Sequence, residues 1–187
     1  MQYVNQYDSG AKCSSIGFNA ERLFASLAKS RGYRVEDATK HENIYKHIDL
    51  KLYVFNPNKG HEDVISVDVK AQKKTNRNDS SFNSEWTWVE FRNVSGKHGW
   101  LLGEATHIAF ERSGDFVSFP RKNLLRWVKQ KIADENGGKI TIKALSLSAS
   151  GAKYKFYKRS GREDLLAQIK FSDAIPEIKG VQIWEKA

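Results

Sequence analysis

From His47 to Lys74 the chain reads HIDLKLYVFNPNKGHEDVISVDVKAQKK, in which apolar and polar residues alternate on both sides of a turn-forming NPNKG. Period-two alternation around such a turn predicts an antiparallel hairpin over residues 48–55 and 64–71. Upstream, apolar residues recur at 20, 23, 24, 27 and 28, with Asn19 placed to cap and Gly32 to close, which predicts a helix over 19–32. On a wheel of about 100° per residue Glu21 lies beside that apolar stripe, turned toward a neighbouring sheet.

Downstream, strands are expected over 86–91 and 106–110, separated by the glycine-flanked SGKHGWLLG. A second helix is expected from Pro120 to about Ala133, with Leu124, Leu125, Val128 and Ile132 inward and Arg121, Lys122, Arg126, Lys129 and Lys131 around the rest. Beyond DENGG, residues 139–147 and 153–158 read as strands and 162–171 as a short helix. The pattern describes an α/β (α+β) chain: a core over 1–135 with a helix on a central sheet, and a small C-terminal β/α extension over 136–187 packed on the same domain.

Composition changes the picture in one direction. An apolar fraction of 40% in 187 residues is ample for one buried core, and a net charge of +9 favours polyanionic partners, nucleic acid before a membrane surface. An inert basic surface is the plain alternative. A lone cysteine, Cys13, excludes an internal disulfide, and no apolar run is long enough for a membrane helix or a signal peptide. The expectation is a protein of the cytoplasm.

The hairpin carries charges where a strand interior prefers neutral side chains. Residues two apart share a face, so Asp68 and Lys70 project side by side, and a turn centred on Asn58 and Lys59 brings Asp49 opposite Asp68. Two facing carboxylates repel unless a cation lies between them. Mg²⁺, which takes one or two carboxylates together with substrate phosphate oxygens, suits that place, and Lys70 would offset charge at phosphorus. The acid-x-lysine pair alone carries little information, because it recurs at Asp49 and Lys51 and at Glu177 and Lys179. Only Asp68 and Lys70 come after a hairpin turn and have an acid in register. The same charges also suit a solvated strand face with cross-strand ion pairs.

Together, Glu21 on a helix, Asp49 on one strand and Asp68-Val69-Lys70 on the next resemble the PD-(D/E)xK nuclease superfamily, over roughly residues 19–110. Ile48 stands where a proline usually precedes the first acid, and Asp68 where glutamate is commoner. The resemblance implies a restriction-endonuclease-like core, with a mixed sheet flanked by helices. It implies a Mg²⁺- or Mn²⁺-dependent nuclease acting on DNA more often than RNA. Asp49, Asp68 and the Val69 carbonyl would hold the metal, Glu21 would join directly or through water, Lys70 would be catalytic, and Gln72 matches a glutamine some members carry. The segment 88–111 is similar to the stretch directly after the core in phage-type and junction-resolving members.

His47 shares the face of Asp49 and is an accessory candidate, against the alternative of an ordinary satisfied histidine. Lys73, Lys74, Arg77, Arg92, Lys97 and His98 are candidates to neutralise phosphates, each singly being equally well read as surface charge. Trp86 and Trp88 share a strand face and suit base stacking or core packing. The five histidines have no zinc spacing. The functional expectation is a DNA endonuclease, with a homodimer suited to cutting two strands. The alternatives are a catalytically inactive nucleic-acid-binding module on the same scaffold and a protein-interaction domain.

Overall fold

The alternating hairpin starts the main sheet. In the computed structural model, which describes residues 12–74, 80–138, 142–144 and 152–186, strands β2 (Leu50–Asn56) and β3 (His61–Lys70) pair antiparallel, with Leu50 opposite Val67 and Asn56 opposite His61. That is the register expected for a turn centred on Asn58 and Lys59. The turn closes because the Asn56 carbonyl accepts the N–H groups of Lys59 and Gly60, and Gly60 takes the positive φ of 68° that a β-carbon would resist.

Strand β1 (Arg34–Asp37) extends the hairpin on one side. On the other, β3 pairs in parallel with β5 (His107–Glu111), followed by the antiparallel strands β6 (Asp115–Pro120) and β10 (Gln182–Glu185). The order is β1-β2-β3-β5-β6-β10, a mixed sheet within an α+β fold. A second sheet, of order β4-β9-β8-β7, is formed by β4 (Trp86–Arg92), β7 (Ile142–Ala144), β8 (Phe156–Lys158) and β9 (Leu165–Lys170).

Helix α1 (Lys12–Ser30) covers one face of the main sheet, where Ala20, Phe24 and Ala28 pack on Leu50, Leu52, Val67, Val69, Ala109, Phe116 and Trp184. Its start differs from the expected one: Asn19 lies inside the helix, exposed, and caps nothing. The closing glycine is as expected, with Gly32 at φ 85° and Tyr33 N–H reaching back to the Ala28 carbonyl at 3.1 Å. On the opposite face Ile108, Phe110, Val117 and Phe119 lie in one core with helix α2 (Arg121–Glu135) and the inner side of the second sheet. Trp127 joins the expected stripe of α2, while Leu125 is only partly buried.

Residues 162–171 are not a helix. Leu165–Lys170 is β9, antiparallel to β4, and the helix α3 begins only at Phe171 and runs to Glu177. Burial of Ala167 and Ile169 has period two, and a neighbouring strand that supplies a full ladder outweighs local helical preference. Strands from beyond residue 136 therefore complete both sheets, and Trp184 of β10 sits in the core beneath α1. No helix among the described residues is long and apolar enough to cross a membrane.

Candidate active site

Strand alternation decides which side of the sheet receives the charges of β3. Val67 and Val69 are buried beneath α1, so Asp68 and Lys70 project from the other face. Asp68 is 1% exposed, and its Oδ1 lies 2.5 Å from the Lys70 ammonium. Its Oδ2 is buried without a hydrogen bond. The ammonium also lies 5.1 Å from the ring centre of Trp100, in a 3₁₀ turn at Trp100–Leu102.

Asp49 stands one residue before β2, where the ladder to β3 opens. Its N–H still reaches the Val67 carbonyl at 2.9 Å, but its side chain takes over from the missing backbone partner: Oδ2 accepts the Val69 N–H at 2.7 Å. An extended residue sends its N–H and C=O to the same side, so the Val69 carbonyl faces the same gap. Asn43 donates to the other oxygen of Asp49 at 2.6 Å. Asn43 belongs to a π-helical turn, Glu42–Lys46, whose start is locked by a capping box. There Thr39 donates N–H and hydroxyl to Glu42, and the Glu42 N–H returns to the Thr39 hydroxyl oxygen. His47 ends the turn in the left-handed region at φ 54°, the only non-glycine residue among those described with positive φ.

Electrostatics ties the helix acid to this group. Burial raises the Glu21 pKa to about 7, helped by the Asp49 charge and opposed by Lys70, with Asp37 adding to the rise. Glu21 lies well inside α1, so attraction to the helix terminus does not explain it. Gly17 leaves room for this side chain, since a β-carbon there would stand 4.0 Å from Glu21 Oε1. Burial also pushes Asp68 well above the usual carboxylate range, with Lys70 pulling down and Asp49 pushing up. For Lys70, burial works downward, but attraction to Asp68 and Asp49, the bond to Asp68 and the nearby Glu90 outweigh it, so the group stays an ammonium. His47 is lowered by burial and by Lys70, against the His98 carbonyl and Asp49. Glu21, His47, Asp49, Asp68 and Lys70 thus share one electrostatic neighbourhood.

The other candidates divide. The Gln72 amide does not join the carboxylates; it donates to Ser84 at 2.7 Å, while its backbone N–H binds Glu111. Lys73 and Lys74 are exposed just beyond β3, and Arg77 lies outside the described residues. Arg92, Lys97 and His98 are exposed around the turn after β4, where Arg92 and His98 form an isolated bridge and the His98 carbonyl meets His47. Trp86 and Trp88 are partly buried, against Tyr154 and Tyr157 respectively.

Asn43, Trp100 and Glu90 belong to the site but carry no motif. Glu90, on β4, is raised by burial against the pull of Lys70, Lys73 and Arg159. The Thr39-x-x-Glu42 spacing was the one legible signal that the turn bearing Asn43 would be ordered. Among the described residues no three His, Cys, Asp or Glu side chains gather closely enough to hold a metal by themselves. The donor set is therefore the pair Asp49 and Asp68. No family model, curated protein or solved structure matches the chain.

Proposed function

We propose that the protein is a divalent-metal-dependent nuclease of the PD-(D/E)xK type, built on a restriction-endonuclease-like core and hydrolysing phosphodiester bonds, DNA before RNA. The observation that carries this reading is the meeting of Asp49, Asp68 and Lys70 at the open end of the β2–β3 ladder, with Glu21 reaching them from α1. A purely structural ion pair does not account for the second, unbonded oxygen of Asp68 beside a second carboxylate.

That orphaned oxygen fits a cation. Mg²⁺ or Mn²⁺ would be held by Asp49, Asp68 and the Val69 carbonyl, with Glu21 joining through water, a donor set of the kind Mg²⁺ uses alongside substrate phosphate. The ion supplies Lewis-acid charge at the scissile phosphate. Lys70, held as an ammonium, orients the attacking water and offsets negative charge developing on the phosphorus oxygens. Glu21, with a pKa of about 7, is suited to accept the proton that the water loses. Asn43 and the Val69 N–H keep Asp49 ionised and aimed. A second copy of the chain would supply the cut in the opposite strand of a duplex.

One observation favours a non-catalytic nucleic-acid-binding module instead: Lys70 already neutralises Asp68 at 2.5 Å. A panel of linear, circular, single-stranded and branched DNA and of RNA, incubated with Mg²⁺, Mn²⁺ or EDTA, separates the two. Cleavage by the wild type that is lost in EDTA and in Lys70→Ala supports the nuclease. Tight EDTA-resistant binding without turnover on every substrate supports the module.

A further inference from the structure

Helix α2 presents cations that the site does not use. Arg121 is committed to the Ala105 and Leu101 carbonyls, at 2.7 and 3.2 Å, and Lys131 to Glu177 at 2.9 Å. Lys122, Arg126 and Lys129, spaced i, i+4 and i+7, are exposed on one flank, and none forms an ion pair among the described residues. Asn123 joins a fourth cation to them: it accepts from Arg126 at 3.2 Å and donates to the Lys179 carbonyl at 3.0 Å.

This arrangement costs the helix stability. Like charges at i, i+4 and i, i+3 repel, by a few tenths of a kcal/mol per pair in isolated helices. The first turn holds no acid to match the positive end of the helix dipole, and Lys122 adds charge of the wrong sign there. A polyanion removes both penalties. Along the axis the three cations span roughly 10 Å, the advance of about three phosphates on one strand of a duplex. The flank also begins near the site, because Arg121 grips the 3₁₀ turn whose Trp100 ring faces Lys70.

We propose that Lys122, Arg126 and Lys129, with Lys179, form a sequence-independent docking surface for the sugar-phosphate backbone of a DNA duplex. It deepens the nuclease reading by giving the substrate a second hold. It is tested in EDTA, so failure to bind and failure to cleave are read separately.

Binding of a fluorescein-labelled duplex is measured by anisotropy against salt for the wild type, Arg126→Gln, and the triple variant Lys122→Gln, Arg126→Gln, Lys129→Gln. A control triple variant carries Lys29→Gln, Lys59→Gln and Lys158→Gln, the same loss of net charge elsewhere. The stripe variant is expected to bind at least about 10-fold more weakly at moderate salt, with the slope of log K against log salt shallower by about 2 to 3 and Arg126→Gln shallower by about 1. Its melting temperature is expected to equal or exceed that of the wild type, which excludes misfolding. An unchanged slope, an equal loss in the control triple variant, or wild-type binding to phosphatidylserine vesicles without binding to the duplex each overturns the proposal.

Discussion

The Asp49 carboxylate accepts the Val69 backbone N–H at 2.7 Å, so the side chain of one strand end takes the place of a ladder bond to the next. This is why Asp49 reaches Glu21 on the α1 side of the sheet as well as Asp68 and Lys70 on the other. A residue confined to one strand face would meet only one of those groups.

Asp68 and Lys70 are not symmetrical partners. Asp68 is buried, half-bonded and beside a second carboxylate, so Asp68→Asn relieves burial and repulsion. Lys70→Ala leaves that carboxylate without its cation. The expected outcome in urea unfolding is that Asp68→Asn is neutral or stabilising, while Lys70→Ala loses about 2 kcal/mol, below the full range for a buried pair because Lys70 is 20% exposed. Both abolish cleavage. Equal destabilisation by the two would indicate an ordinary structural ion pair.

Asn43 acts through Asp49. It is exposed, so Asn43→Ala is expected to change stability by no more than about 1 kcal/mol, while releasing Asp49 Oδ1 lowers cleavage or Mn²⁺ affinity by about 10-fold. Calorimetric titration with Mn²⁺ reads the affinity directly, and an unchanged value removes Asn43 from the site.

The turn that carries Asn43 should be sensitive to acid. Glu42 is lowered to about 2, first by the Thr39 N–H, then by the Thr39 hydroxyl and Lys51, against a modest cost of burial. A depressed carboxylate contributes stability that is fully present above its ordinary value near 4.5 and is lost as pH falls toward 2. Glu42→Gln is therefore expected to flatten the decline in urea midpoint across that window. A decline as steep as in the wild type would mean that other carboxylates set the acid limb.

Trp184 closes the core beneath α1 from near the end of the chain. Its ring lies 5.0 Å from Phe24 and 5.7 Å from Tyr33, and the Arg31 guanidinium stands 4.4 Å from it. Trp184→Ala is expected to cost about 3 to 5 kcal/mol. Trp184→Phe is expected to cost much less, because the buried indole N–H has no partner to lose. Thermal unfolding of the two variants distinguishes ring packing from a polar role.

The hairpin was legible because its two signals agree: alternation of period two sets the faces and Asn-Pro-Asn-Lys-Gly sets the turn, so local chemistry dictates the pairing of β2 with β3. The α2 stripe was legible for the same reason, with Pro120 directly before the helix. β9 was not, since a six-residue segment with a mixed pattern takes its conformation from the strand it lies against. The early start of α1 was hidden because capping-type residues such as Asn19 are tolerated, exposed, inside a long helix.

By itself the sequence determined the charges of β3, their spacing and the register that sets Asp49 near Asp68, all consequences of steric alternation over a few residues. Only the tertiary structure decided that Asp68 is buried with one oxygen unbonded, that Asn43 holds Asp49, that Glu90 and Trp100 stand near Lys70, and that Gln72 turns to Ser84. Those facts depend on the desolvation and neighbours that distant segments impose, and neither is written in the spacing of a motif.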